Sequence, residues 1–132
     1  MSVAGLVTLA SQHGPQETMD RLEAEVKARG IRVFARIDHA AGATEAGLSL
    51  RPTELLIFGN ANAGTPLMQS IQSIGIDLPL KALVWQDSHG ATWLSYNDPA
   101  WLAARHGVPA DMAVPGNMSA LLAALAKAAT AP

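Results

Sequence analysis

Cysteine is absent from the 132 residues of this chain. Its absence excludes disulfides, thiolate nucleophiles and cysteine-ligated zinc sites. Charge is also sparse, because only 15% of the residues are Asp, Glu, Lys or Arg and the formal net charge is -2. Non-specific binding to nucleic acid needs a basic patch that displaces counterions from phosphates. We therefore expect no nucleic-acid partner.

Long hydrophobic runs are missing as well. No apolar stretch reaches the roughly 18 residues that suggest a membrane span, and no run of basic residues points to a membrane surface. Residues 1–7 lack the charged and apolar regions of a signal peptide. These features predict a cytoplasmic location and no membrane partner.

Apolar residues make up 49% of the chain, which is enough to bury a sizeable core. A chain of this length suits one domain and is too short for two well-packed ones. We therefore expect a single domain over residues 1–132.

Hydrophobic periodicity predicts an alternation of strands and helices along this chain. The predicted strands are 3–9, 31–37, 55–58, 80–87 and 91–96. Five helices are predicted. The first ends near Arg29, the second covers 40–46, and the third begins at Thr65-Pro66 and ends at Gly75. The fourth runs from Asp98-Pro99 to Gly107, and the fifth covers about 117–129. Because the last two strands form a hairpin, part of the sheet is antiparallel, and we predict a two-layer α+β fold.

Two strand patterns predict where particular side chains point. Alternation in strand 31–37 places its aliphatic residues on one face and Arg32, Phe34 and Arg36 on the more exposed one. The hairpin loop Ser88-His89-Gly90 places Trp85 opposite Trp93 on one face. An unpaired hairpin edge with an aromatic face invites pairing, so we predict that both tryptophans belong to a dimer interface.

Three separated motifs resemble one known family. They are Phe34-Ala-Arg-Ile-Asp-His39, then Leu55-Leu-Ile-Phe-Gly-Asn60 leading to Gly64-Thr-Pro-Leu-Met68, then Asp77-Leu-Pro-Leu-Lys81 with Trp93-Leu-Ser-Tyr-Asn-Asp-Pro99. In this order they resemble the domain of unknown function 302 family, over about residues 6–107. The C-terminal helix lies outside that region. The family often has Gly-Asn-Pro after the third strand, and Ala61 here replaces the proline.

This resemblance implies a curved, mainly antiparallel five-stranded sheet packed against helices. It also implies self-association and a bacterial or archaeal origin. It implies no activity, so no catalytic residue is carried across from the family.

The best polar constellation in the sequence is Asp38, His39, Lys81 and Tyr96. A carboxylate beside an imidazole can orient it for general-base catalysis, and Lys81 or Tyr96 would act as electrophilic partner. Under the alternative interpretation Asp38 caps a short helix that His39 begins. Lys81 and Tyr96 would then make an ordinary cross-strand contact.

The segment Gly59 to Gly64 is predicted to be a loop that leads into a helix N-terminus. Free N–H groups at such a terminus attract anions, so Asn60, Gly64 and Thr65 are ligand-binding candidates. The segment lacks the lysine and hydroxyl residue of a P-loop, and no three-glycine dinucleotide motif occurs. The alternative is a tight turn stabilised by asparagine side chains.

Metal and nucleophile motifs are not found in this sequence. None of the four histidines has a second one two or four positions away, so we expect no metal and no cofactor. No nucleophile elbow occurs. The leading hypothesis is a non-catalytic binding or assembly module that forms a homodimer. The alternative is a small-molecule enzyme, or a ligand or metal sensor, that uses the polar constellation.

Overall fold

A computed structural model describes residues 2–132 of the chain. Its strands are β1 Leu6–Ala10, β2 Arg32–Asp38, β3 Thr53–Gly59, β4 Leu80–Gln86 and β5 Thr92–Asn97. Its helices are α1 Pro15–Ala28, α2 His39–Glu45, α3 Ala61–Ser70, α4 Pro99–His106 and α5 Val114–Thr130, with a 3₁₀ helix at Gln72–Asp77. The strands form one sheet in the order β1-β5-β4-β3-β2, and all neighbours are antiparallel. The predicted α+β fold is confirmed.

The hydrophobic core lies between one face of the sheet and the helices. Alternate residues of the strands supply the sheet side of this core, which includes Leu56, Phe58, Ala82, Val84, Leu94 and Tyr96. The helices α1 and α5 supply the opposite side, which includes Met19, Leu22, Val26, Leu122, Leu125 and Ala129. Apolar packing against the helices therefore buries the centre of this face of the sheet.

Strand β2 contains a β-bulge that changes which side chains face the core. Val33 pairs with Phe58 and Ala35 pairs with Ile57, so Phe34 is an extra residue on the bulged strand. An extra residue reverses the alternation of all residues that follow it. The predicted alternation of strand 31–37 is therefore wrong beyond the bulge: Arg36 pairs with buried Leu56 and lies on the helix face of the sheet.

Arg36 contacts three carboxylates from two other elements. Its guanidinium lies 2.8 Å from Asp20 and 2.9 Å from Glu23, both on α1, and 2.9 Å from Glu54 on β3. Hydrogen bonding to Glu54 raises the pKa of Arg36 despite partial burial. Hydrogen bonds from Lys27 and Arg36 lower the pKa of Glu23. Arg36 therefore joins the first helix to the sheet through charge as well as packing.

Helix α3 begins earlier than predicted. The segment Gly59 to Gly64 is not a loop, because the helix starts at Ala61 and Pro66 lies inside it. The carbonyl of Asn60 accepts hydrogen bonds from the N–H groups of Ala63 and Gly64, which closes the first turn of the helix. The helix also ends at Ser70, and a 3₁₀ helix follows in place of the predicted continuation to Gly75.

Replacing Arg36 by methionine should destabilise the protein. Arg36→Met leaves three carboxylates close together without their shared cation, and we expect the free energy of unfolding to fall by about 1–3 kcal/mol. Urea denaturation at neutral pH measures this change. Arg29→Met is the matched control, because its pair with Glu25 is exposed and 3.9 Å long. Equal losses in the two variants would contradict a special role for Arg36.

Candidate functional site

The four residues of the predicted polar constellation, Asp38, His39, Lys81 and Tyr96, do not converge on one pocket. Asp38 pairs with Glu54, which lies three residues along β3 from Ile57, the partner of Lys81. Tyr96 pairs with Ala82, the residue next to Lys81. Because successive residues of a strand point to opposite faces, Lys81 and Tyr96 lie on opposite sides of the sheet. The expectation of a shared pocket is wrong because the residues differ in face and in position along the strands.

The alternative interpretation of Asp38 and His39 is confirmed. The Asp38 carboxylate accepts a hydrogen bond of 2.9 Å from the N–H of Ala41 and so caps α2. His39 is the first residue of that helix, and its side chain is exposed. Neither residue contacts Lys81 or Tyr96 through a hydrogen bond.

The second face of the sheet, here called the open face, is apolar and lacks the deep burial of the core. Register places the residues of one row side by side across four strands: Ile37 beside Leu55, Leu55 beside Leu83, and Leu83 beside Ser95. The large apolar side chains of the open face include Ile37, Leu55, Ile57, Leu83, Trp85 and Trp93. None of them is fully buried, and Ile37 is 39% exposed.

Trp85 and Trp93 stack at the end of this face. Their ring centroids are 6.2 Å apart with an interplanar angle of 28°, and they pair directly across β4 and β5 as predicted. The indole N–H of Trp85 donates to Ser95 and that of Trp93 to Asp87. That second hydrogen bond is the main reason why the pKa of Asp87 is lowered. With both N–H groups satisfied, the two indoles present apolar surface outward.

The hairpin is not at an edge of the sheet. Its strands β4 and β5 are flanked by β3 and β1, so the edges are β1 and β2. The hairpin therefore has no unpaired edge, and the prediction that such an edge attracts a partner is wrong. The two tryptophans therefore form part of the open face. Their strands have no free row of backbone hydrogen-bonding groups.

Lys81 lies at the other end of the open face. Its ammonium donates a hydrogen bond of 3.0 Å to the carbonyl of Pro79 and lies 3.5 Å from that of Asp77. Burial lowers the pKa of Lys81, against the charge of Asp77. Lys81 is thus held by backbone carbonyls at the margin of an apolar surface.

A cavity of about 260 Å³ opens beside α3, on the helix side of the sheet. The three ligand-binding candidates Asn60, Gly64 and Thr65 all line it. The remaining lining is almost wholly apolar and includes Phe34, Phe58, Met68, Leu78, Met118 and Leu121. The structure thus brings these three candidates together, at the N-cap and in the first turns of α3 and beside an apolar space.

A cluster that sequence reasoning missed joins the 3₁₀ helix to α4. His106 lies 2.6 Å from Asp77 through Nε2 and 2.9 Å from Ser73 through Nδ1. Arg105 also contacts Asp77, at 2.8 Å. In serine hydrolases, the carboxylate accepts a hydrogen bond from Nδ1 of the histidine, and the serine hydroxyl lies at Nε2. The reverse arrangement here indicates a clamp between two elements rather than a hydrolytic triad.

Burial raises the pKa of Asp77, but the hydrogen bond from His106 and the charge of Arg105 outweigh it and lower the pKa overall. The ionised carboxylate is thus stabilised by folding. The ionised Asp77 therefore adds to the free energy of unfolding above its ordinary pKa of 3.8, and this contribution is lost as the pH falls below that value.

Replacing Asp77 by asparagine should therefore have a pH-dependent effect. We expect Asp77→Asn to lower the free energy of unfolding by about 1–2 kcal/mol at neutral pH. The difference from the wild type should shrink as the pH falls below 3.8. Urea denaturation between pH 3 and pH 7 measures both. A difference that stays constant over this range would show that Asp77 acts through packing and not through charge.

Within residues 2–132, no group of three or more His, Asp or Glu side chains is placed to hold a metal ion. No helix in this part of the chain is both long and apolar enough to cross a membrane.

Comparison with known proteins defines the family. The model of the family "Domain of unknown function DUF302" matches residues 7–128, and the chain belongs to this family. The match extends past Gly107 and takes in most of α5, beyond the region expected from the motifs. A crystal structure of an uncharacterized conserved DUF302 protein from Bacillus stearothermophilus has the same fold. Its TM-score is 0.85 at 24% identity, over 96% of this chain and 99% of that chain.

Curated relatives are found in Brucella. Proteins named "Fluoride-specific ion channel FluC 1" from Brucella suis and Brucella abortus are each 55% identical to this chain over 113 residues. The aligned part is 84% of this chain but only 44% and 42% of those proteins. The chain thus spans less than half the length of the curated relatives that it matches.

Proposed function

We propose that this chain is an assembly module in which two copies pair through the open faces of their sheets. The observation that carries the proposal is the row of large apolar side chains on the open face, all of which keep part of their surface exposed. Contiguous apolar surface of this kind marks interaction sites on soluble domains. Sheets pack well face to face at a spacing of about 10 Å.

The size of the open face suits a specific interface. Strands lie roughly 4.8 Å apart and rise roughly 3.3 Å per residue, so five strands of up to seven residues cover about 550 Å² in projection. Two such faces in contact bury about 1,100 Å², which exceeds the roughly 1,000 Å² of a biological interface.

The polar groups of the open face support burial by a partner. The indole N–H groups already donate to Ser95 and Asp87, so covering the tryptophans would leave no donor unsatisfied. Thr8 and Ser95 share a hydrogen bond of 2.8 Å between their hydroxyl groups. Lys81, at the margin, keeps its bonds to backbone carbonyls. Association would therefore gain apolar burial without a large polar penalty.

The proposal predicts the effect of a charge at the centre of the face. Wild-type protein should have twice the 13.8 kDa mass of one chain, and Leu83→Glu should reduce it to the mass of one chain. The reason is that a carboxylate in an apolar interface must lose its hydration without a partner. Light scattering coupled to gel filtration measures the mass.

Leu48→Glu is the control, because Leu48 is 68% exposed and lies outside the sheet. Its mass should match that of the wild type. Thermal melts of both variants check that the fold survives. A wild-type protein with the mass of one chain at micromolar concentration would overturn the proposal.

The alternative was a small-molecule enzyme, or a ligand or metal sensor, at the polar constellation. The positions of the four residues do not support it. It required Asp38, His39, Lys81 and Tyr96 to converge, and they do not. A catalytic base and its electrophilic partner must reach one substrate within hydrogen-bonding distance.

A second candidate function follows from the 55% identity to proteins named fluoride-specific ion channels. We propose that this chain supports such a channel as its assembly part. Deletion of its gene should then lower the fluoride concentration that the host tolerates, and the wild-type gene should restore tolerance. Leu83→Glu should restore it poorly, whereas Leu48→Glu should restore it fully. Unchanged growth of the deletion strain in fluoride would remove this candidate.

A further inference from the structure

The cavity beside α3 exists because of the bulge in β2. Phe34 is the extra residue of the bulge, and its ring is one wall of the cavity together with Phe58. In a bulge two successive residues oppose one residue of the partner strand. Val33 and Phe34 therefore both lie opposite Phe58, and the Phe34 ring is directed away from the open face. The cavity and the proposed interface are thus different sites.

The cavity suits a small organic molecule. Its volume of about 260 Å³ is close to the lower end of ligand pockets, which start at roughly 300 Å³. The inner wall is formed by aliphatic, aromatic and thioether side chains of β3, β4, α3 and α5. Only Asn60 and Thr65 contribute polar side chains, both are exposed, and no acidic residue lines the cavity. This surface recognises a compact apolar body.

A cation lies next to the cavity. The guanidinium carbon of Arg32 is 4.9 Å from the centroid of the Phe34 ring, so it lies over one of the lining side chains. Arg32 also pairs with Gly59, another lining residue. Within residues 2–132 Arg32 makes no ion pair, in contrast to Arg36. A guanidinium stacked on an aromatic ring still has donors available for a carboxylate.

We propose that this cavity binds a small amphipathic carboxylate, with its apolar body against Phe34, Phe58 and Met68 and its carboxylate at Arg32. The apolar lining accounts for the body, and the unpaired guanidinium at the rim accounts for the charge. Arg–carboxylate pairs are often bidentate, which fixes the orientation of the ligand as well as adding affinity. The proposal does not depend on dimer formation, because the cavity lies on the helix side of the sheet and Arg32, on the edge strand β2, contacts its wall through the Phe34 ring.

Titration of ¹⁵N-labelled protein with octanoate tests the proposal, and octan-1-ol serves as the neutral probe of similar size. Octanoate should shift the amide signals of Gly64, Gly75 and Leu78 in a saturable way. Octan-1-ol should bind at least tenfold more weakly. Arg32→Gln should weaken octanoate binding by about tenfold, which corresponds to about 1.4 kcal/mol, and should leave octan-1-ol binding unchanged.

Two kinds of variant complete the test. Ala61→Phe places a ring at the exposed mouth of the cavity and should abolish binding of both probes, and Ala63→Leu should do the same from a partly buried position. Arg29→Gln removes an exposed arginine that pairs with Glu25 and does not line the cavity, and it should change nothing. Absence of saturable shifts with octanoate in the folded wild type would overturn the proposal. Equal affinity for both probes, or no effect of Arg32→Gln, would overturn the assignment of the carboxylate to Arg32.

Discussion

The guanidinium of Arg36 and its three carboxylates determine how the first helix meets the sheet. Asp20 and Glu23 come from α1 and Glu54 from β3, so one side chain ties together three elements that are distant along the chain. Placing an arginine on the helix face costs desolvation, and only paired carboxylates offset that cost. The bulge at Phe34 is what brings Arg36 to this position. The bulge and the ion cluster therefore stabilise each other.

The same bulge explains two features on opposite sides of the sheet. Without it, the ring of Phe34 would lie on the open face, and the cavity beside α3 would lose one wall. Ala35 and Ile37 would lie on the helix face, and the guanidinium of Arg36 would lie on the open face. The bulge thus keeps a charge off the open face and gives the cavity on the other side one of its walls.

Local signals predicted the parts of the structure that depend on neighbours in sequence. Asp38 and Asp98 cap helices, and Gly90 and Gly107 have the positive φ that their turn and C-cap need, as the sequence indicated. The bulge escaped prediction, because the alternation of strand 31–37 is regular and only pairing with β3 reveals the extra residue. The contacts of His106 with Ser73 and Asp77 also escaped prediction, since about thirty residues separate His106 from each of them.

Edge strands explain why association would use a face of the sheet rather than an edge. The edge strand β2 carries a bulge and two arginines, and such features hinder the addition of another strand. The other edge, β1, has only five residues and offers a short row of backbone groups. The open face between them combines apolar rows with indole groups whose polar atoms are satisfied. The proposed face-to-face packing would thus bury apolar surface on both copies while the backbone hydrogen bonds of each sheet stay intact.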